Sequence, residues 1–440
     1  MTENKKGQLV TKAICNKGFS GNSSILPRSN FGVGGQFYRP QSLTTATLNR
    51  YATFKRPKMK QLVITILSIF LFTNCHSDKG KTCYLTGKVI NRDSKSLILL
   101  KQTEDSRYSG IEIPIDSSGR FNYKMNFQFV EEYELIFKDE LGRGTWSPIL
   151  FFPDNDKIEF KLFPIEKADS NIIKGSELSL KENAINQKLK DKYYNRYVFW
   201  EQKMDSLMSI NETNSIYYNT VSDSLKAIGQ EITLFEFQCA VKEQVNIYGF
   251  SKLLKILRIQ KDRRNIAIDS LKKYCDLFQK EFPNHPYNEL SQFRLDGLTN
   301  IKVSGDYVDF TAQDSIGNNF TLSEIISKNR FTLLDLWAPW CGPCIRKSQK
   351  IVPVYEEFKE KGFEVIGVVG GISTKEKYIE VIEKHKYPWP LLAEVNDKNK
   401  LWEKYCISGG GGSQFLIDNK GKILAISPSP DDLKKLIQEE

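Results

Sequence analysis

The chain has 440 residues, 40% of them hydrophobic and 26% charged, which is the composition of a globular protein too long for one core. The net charge of +10 is misleading, because residues 1–60 contain 11 Lys and Arg and one acidic residue, whereas the other 380 residues contain 52 of each sign. The folded part is therefore neutral, and its charge gives no support to nucleic-acid binding.

The first predicted element is an apolar segment behind this basic arm. The stretch KMKQLVITILSIFLFTNC ends at Cys75, and its apolar part, 62–72, is too short to span a bilayer as a helix but fits a secretory signal. We expect translation to begin at Met59, so that residues 59–75 are a signal peptide and residues 1–58 a non-native or disordered extension. A nucleic-acid or membrane arm is the alternative for those 58 residues.

The spacing of apolar residues changes once in the middle of the chain. Short segments with alternating apolar residues predict a small all-β domain, an antiparallel sandwich or barrel, over residues 82–175. From there to residue 292, apolar residues recur every three or four positions and predict a helical segment, 177–292, in which Cys239 and Cys275 are core residues. Pro283 and Pro286 are expected to end it.

Strands and helices alternate over residues 300–440. FTLLDLW and FEVIGVVG read as strands, CIRKSQKIVPVYEEFKEK and KEKYIEVIEKH as helices, and QFLIDNKGKILAIS as a hairpin that turns at 419–421. This order predicts an α/β domain around a central sheet.

Two cysteines stand where a strand of this domain meets a helix. The sequence WCGPC places Cys341 at the helix N-terminus and Cys344 one turn inside, with Gly342 and Pro343 between them. The positive end of a helix stabilises a thiolate, which is the nucleophile in disulfide exchange. Cys341 is therefore the expected exposed attacker and Cys344 the buried resolving residue.

Residues 306–440 resemble the thioredoxin-fold modules of the TlpA/ResA type, the membrane-tethered thiol-disulfide oxidoreductases of bacteria. WCGPC is the thioredoxin active-site sequence, and the segments DYVDFTAQDSIGNNFTLSEI, FEVIGVVG, YPWPLLAE and FLIDNKGKI resemble family segments in the same order. The resemblance implies a thioredoxin-like C-terminal domain that is a protein-disulfide reductase and uses no cofactor and no metal.

The resemblance also implies roles for single residues. Cys341 forms a mixed disulfide with the substrate and Cys344 resolves it. Asp335 matches the buried carboxylate that exchanges a proton with the resolving cysteine, and Trp340 matches an aromatic residue of the contact surface, whereas Trp337 is as well explained by packing. Gly412 stands where the family has a cis-proline, so we expect the loop 409–412 to depart from the family geometry.

The end of the apolar segment resembles a lipobox. FTNC would place a lipid on Cys75, and the regions after it resemble the N-terminal parts of Bacteroidetes lipoproteins. These resemblances imply a protein on the periplasmic side of the cell envelope, lipid-anchored to a membrane. Its partners would be protein disulfides, as in cytochrome c maturation, and a membrane electron donor that re-reduces it, with no nucleic acid.

Three alternatives stay open, and a fourth, a peroxidase, is excluded. A metal site would have to recruit Cys406 or His385, and Cys406 is otherwise a third redox thiol or a core residue. A peroxidase of the peroxiredoxin type needs a PxxxTxxC loop, which residues 331–344 lack. The non-enzymatic alternative is a redox-inactive, lipid-anchored binding protein with a degenerate thioredoxin module.

Overall fold

The computed structural model describes residues 80–439, apart from 107–108, 144–145, 211, 213–214, 243–245, 264 and 408–410. The predicted extension 1–58, the signal peptide 59–75 and Cys75 lie outside the described residues. No helix within the described part of the chain is both long and apolar enough to cross a bilayer.

The first region is a sandwich of two four-stranded sheets. Its strands are β1 (Lys81–Val89), β2 (Ser96–Lys101), β3 (Ile111–Pro114), β4 (Arg120–Phe127), β5 (Tyr133–Phe137), β6 (Ile149–Phe151), β7 (Lys157–Leu162) and β8 (Ile172–Lys174), with a short helix α1 (Lys138–Gly142) after β5. One sheet has the order β4-β1-β7-β8 and the other β3-β2-β5-β6, and alternate residues of both fill one core.

One pairing of the sandwich differs from the predicted antiparallel arrangement. β1 and β7 run parallel, with Leu85 opposite Ile158, while their outer neighbours pair antiparallel. A parallel pair requires a long connection between the end of one strand and the start of the next. Here the connection from β1 to β7 includes β2, β3, β5 and β6, which form the other sheet.

The second region consists of helices α2 (Glu177–Ser209), α3 (Ile216–Lys242), α4 (Ile247–Arg263), α5 (Ile268–Glu281) and α6 (Tyr287–Asn300). Ser176 caps α2 by accepting a hydrogen bond from the N–H of Ser179. The last helix differs from the prediction, because Pro286 does not end the helical region but is the N-cap of α6. Proline is compatible with a helix start, where the missing N–H is not needed.

The third region contains strands β9 (Thr311–Gln313), β10 (Asn319–Thr321), β11 (Phe331–Trp337), β12 (Phe363–Ile372), β13 (Leu391–Val395), β14 (Ser413–Asp418) and β15 (Ile423–Ile426) and helices α7 (Leu322–Ile326), α8 (Gly342–Phe358), α9 (Lys375–His385), α10 (Leu401–Lys404) and α11 (Pro430–Glu439). The sheet order is β10-β9-β13-β12-β11-β14-β15. β11 is parallel to β12 and antiparallel to β14, as in a thioredoxin-like sheet.

The predicted fold class is confirmed: a thioredoxin-like α/β C-terminal domain follows an all-β domain and a helical segment. The residue limits 82–175, 177–292 and 300–440 stay predictions, and α6 continues past the second of them to Asn300.

Buried ion pairs join the three regions. Lys252 of α4 lies between Glu132, which precedes β5, and Glu182 of α2, with nitrogen–oxygen distances of 3.2 and 2.7 Å. Arg294 of α6 donates to both carboxylate oxygens of Glu403 in α10, at 2.7 and 2.8 Å. The helices are thereby fixed to both neighbours.

Candidate active site

The candidate site lies where β11 ends and α8 begins. Every residue of β11 is buried, because this central strand has helices or loops on both faces. Cys341 is the N-cap of α8, and its sulfur accepts a hydrogen bond from the N–H of Cys344 at 3.3 Å. Pro343 occupies the first turn of the helix, where its missing N–H leaves no bond unmade.

Cys341 and Cys344 form a disulfide, with their Cα atoms 5.2 Å apart. Both side chains are half-buried, whereas the sequence predicts an exposed Cys341 and a buried Cys344. Cys344 packs against the apolar cluster around Trp337 and Val369, and Gly411 lies close to both sulfurs. The arrangement is the oxidised form of a dithiol at a helix N-terminus.

Asp335 is buried in β11, with only 2% of its surface exposed. Burial raises the pKa of this carboxyl from 3.8 to about 6, because a charge in an apolar interior loses its hydration. The Ser348 hydroxyl donates to Asp335 Oδ2 at 2.5 Å and limits that rise. A carboxyl with this pKa exchanges a proton readily near neutral pH.

Further polar side chains surround Asp335. Gln414 lies opposite Asp335 on β14, and its amide also lowers the pKa of Asp335. Neither polar atom of this amide, however, has a partner in hydrogen-bonding geometry. Lys347 is half-buried, and burial lowers its pKa while Asp335 opposes that change. Burial, together with the charge of Asp335, raises the pKa of Tyr387 to about 12, so its hydroxyl stays a donor.

Ser348 ties this carboxyl to the dithiol. Its hydroxyl lies 3.1 Å from the carbonyl oxygen of Cys344 as well as against Asp335. The side chain of Ser348 thus connects the helix that carries Cys344 to the strand that carries Asp335.

The glycine loop faces the disulfide. Gly409 and Gly410 are outside the described residues, but a Cβ on Gly411 would lie 3.7 and 3.9 Å from the sulfurs of Cys341 and Cys344. A Cβ on Gly412 would lie 2.1 Å from the carbonyl oxygen of Leu336, so this position accepts only glycine without a backbone shift. The described residues contain no cis peptide bond.

Two tryptophan rings border the loop and the disulfide. Trp402 donates from its indole nitrogen to the Gly411 carbonyl oxygen at 3.0 Å and packs on Gly370, where a Cβ would come within 2.1 Å of the ring. Trp340 packs on Gly371 in the same way. The glycine pair at the end of β12 therefore leaves room for both rings, while Trp337 is fully buried in the core.

The residues considered for a metal site do not meet. Cys406 lies against α6, where a Cβ on Gly297 would come within 2.7 Å of its sulfur, and His385 packs on the ring of Trp337. Within the described ranges, no three His, Cys, Asp or Glu side chains are placed to hold a metal ion.

Sequence reasoning alone missed Ser348, Gln414 and Trp402. Ser348 follows Cys344 by four residues, a spacing that puts both on one helix face, so the pattern could have found it. Gln414 and Trp402 reach the site through strand pairing and a loop contact, which leave no local signal.

Comparison with known proteins concerns the C-terminal domain. Residues 303–426 match the model of the AhpC/TSA family. A thiol-disulfide oxidoreductase ResA of Bacillus subtilis is 25% identical over 130 residues, which cover 30% of this chain and 69% of that protein. A ResA of Geobacillus kaustophilus is 27% identical over 128 residues, covering 29% of this chain and 70% of the relative.

Solved structures match about a third of the chain. The thioredoxin domain of a thiol-disulfide oxidoreductase from Bacteroides vulgatus is 29% identical, with 31% of this chain and 96% of that chain covered and a TM-score of 0.29. A thiol:disulfide interchange protein from Bacteroides sp. is 28% identical, with coverages of 32% and 90% and a TM-score of 0.29. The strand order and the sequence matches above show a thioredoxin-like C-terminal domain that is similar to the ResA thiol-disulfide oxidoreductases.

Proposed function

We propose that the protein is an exported, membrane-tethered oxidoreductase that reduces disulfides of envelope proteins through Cys341 and Cys344. The observation that carries the proposal is the disulfide at the N-terminus of α8, next to the buried carboxyl of Asp335. The N-terminal end of the helix favours the thiolate of Cys341.

The reaction transfers two electrons in two exchanges. The Cys341 thiolate attacks one sulfur of the substrate disulfide, whose second sulfur leaves as a thiolate and takes a proton from solvent. Asp335 then accepts the proton of the Cys344 thiol, and the Cys344 thiolate attacks Cys341 Sγ in the mixed disulfide. The second substrate thiolate leaves, and the protein ends in the disulfide form.

Insulin reduction tests the class of activity. We expect the purified chain to accelerate insulin reduction by dithiothreitol and Cys341→Ser to abolish the acceleration. Cys406→Ser is the matched control, since Cys406 contacts α6 rather than the disulfide. Equal rates for the wild type and Cys341→Ser would instead support the redox-inactive binding protein.

The substrates and the direction of electron transfer need separate measurements. Cys344→Ala should accumulate mixed disulfides with envelope proteins, because the resolving thiol is missing, and the double variant with Cys341→Ser should accumulate none. We further propose that a membrane electron donor re-reduces the dithiol, which requires a low reduction potential. A potential in the range of strong oxidants such as DsbA would contradict the reductive direction.

Export and anchoring rest on the sequence of residues 59–75. We propose that Cys75 carries the lipid and holds the protein on the periplasmic side of a membrane. Metabolic labelling with radioactive palmitate should mark the wild type and not Cys75→Ser, and labelling of neither would contradict the anchor.

A further inference from the structure

One face of the sheet β4-β1-β7-β8 is strongly basic. Alternate residues of its strands point into the core, and the residues between them are exposed. Of the described residues on this outer side, Glu159 is the one acid. The cations form what we call the basic sheet face: Lys88, Arg120, Lys124, Lys157, Lys161 and Lys174.

The strand register brings like charges next to each other. Lys88 lies opposite Arg120 on one side and Lys161 on the other, and Tyr84 lies opposite Lys124 and Lys157. Neighbouring strands are about 4.8 Å apart, and like charges directly opposite each other destabilise a sheet. Folding alone therefore does not explain this arrangement.

The composition of the domain does not explain it either. Residues 81–175 contain 14 Lys and Arg and 15 Asp and Glu, so the domain as a whole is close to neutral. Six of the 14 cations lie on one face with a single carboxylate, that of Glu159, which is paired to Lys157. The cations are thus concentrated where an anionic surface would neutralise them.

We propose that the basic sheet face lies on an anionic membrane surface. Strand β1 begins at Lys81, six residues after the proposed lipid anchor Cys75, and six residues span at most about 20 Å. Lys and Arg this close to a bilayer are attracted by acidic headgroups. Tyr84, at the middle of the face and 49% exposed, is the amphipathic side chain favoured at membrane interfaces. This inference rests on the proposed anchor at Cys75 and is independent of the dithiol chemistry.

Lysine acetylation of the full chain on vesicles tests the orientation. Phosphatidylcholine vesicles are compared with vesicles that contain about 30% phosphatidylglycerol, whose headgroup is anionic. We expect the acetylation rates of Lys88, Lys124 and Lys174 to fall at least about threefold on the anionic vesicles and to recover in about 0.5 M salt. Equal rates on both vesicles would overturn the proposal, as would protection by duplex DNA but not by vesicles.

Charge reversal gives a second measurement. The triple variant Lys88→Glu, Lys124→Glu, Lys174→Glu should lower the ratio of binding to anionic over neutral vesicles about tenfold. The matched control reverses Lys375, Lys384 and Lys420, which are exposed on the C-terminal domain, and should keep the wild-type ratio. An equal loss in both variants would mean that net charge alone governs binding and would overturn the role of this face. Insulin reduction should be unchanged in both.

Discussion

Asp335 combines deep burial with a single strong hydrogen-bond donor. The Ser348 hydroxyl satisfies one carboxylate oxygen, but the apolar surroundings still raise the pKa to about 6. In the unfolded chain the same carboxyl has a pKa near 3.8. Between these values the unfolded state loses its proton first, so the native state becomes less favoured as the pH rises.

Asp335→Asn should therefore stabilise the oxidised protein at high pH. A shift from 3.8 to about 6 corresponds to about 3 kcal/mol at pH 8 and to no difference below about pH 3, where both states are protonated. Hydrogen exchange of the β11 amides in urea measures the free energy of unfolding at each pH. The same variant should slow insulin reduction, because in the proposed mechanism Asp335 is the base that receives the Cys344 proton.

A matched variant separates the carboxyl from its donor. Ser348→Ala keeps Asp335 but removes the bond that lowers its pKa, so the loss of stability with rising pH should become larger than in the wild type. Identical pH profiles for the wild type, Asp335→Asn and Ser348→Ala would contradict the assignment.

The loop at Gly411 and Gly412 faces the disulfide without proline. Gly412 is held against the backbone at the end of β11, and the indole of Trp402 fixes the Gly411 carbonyl. Close backbone contact and one side-chain hydrogen bond thus set the position of this loop. The Gly411 carbonyl already accepts one hydrogen bond from Trp402, which leaves one lone pair for a further donor.

Alanine at each glycine should have a different effect. Gly412→Ala should cost about 1–3 kcal/mol of stability, because its Cβ would overlap the Leu336 carbonyl. Gly411→Ala should change stability by less than about 0.5 kcal/mol, since its Cβ would be at ordinary contact distance from the sulfurs. It should nevertheless slow insulin reduction severalfold by narrowing access to Cys341. Urea denaturation measures the stability and the insulin assay the rate. Equal effects of the two substitutions would contradict the contacts described for Gly411 and Gly412.

The elements around the cysteines could be predicted because their signals are local. A strand is predicted by the apolar run 331–337, a helix start by the motif at 341–344, and a hairpin by the turn at 419–421. The structure contains all three. The start of α6 was harder to predict, since a proline can follow the end of one helix or precede the start of the next. The burial of Asp335 was expected from the resemblance, whereas its strand partner Gln414 could not be predicted, because β14 is distant in sequence.

At the scale of the whole molecule, buried charges link the regions. Lys252 was indistinguishable in sequence from the exposed lysines of a helix, because only the fold brings Glu132 and Glu182 to it. Burial alone would raise the pKa of Glu182, but Lys252 holds it below its ordinary value of 4.5. The same two carboxylates raise the pKa of Lys252 against the effect of burial.

Lys252→Met should destabilise the junction of sandwich and helices by about 3–5 kcal/mol, because two buried carboxylates lose their counter-charge. The loss should shrink as the pH falls, because burial without Lys252 raises the pKa of Glu182, and a protonated carboxyl needs no counter-charge. Lys377→Met is the control, since its pair with Glu380 is largely exposed and contributes at most about 1 kcal/mol. Urea unfolding followed by circular dichroism compares them, and equal losses would contradict a structural role for the buried cluster.

The contact of α6 with Cys406 has a consequence for handling the C-terminal domain by itself. Gly297 brings the helix backbone onto this sulfur, and Arg294 closes the same junction through Glu403. A fragment cut at residue 303 would lack the helix and expose a third thiol on a molecule that exchanges disulfides. We expect such a fragment to cross-link in air faster than the full chain, because α6 then no longer covers the Cys406 sulfur.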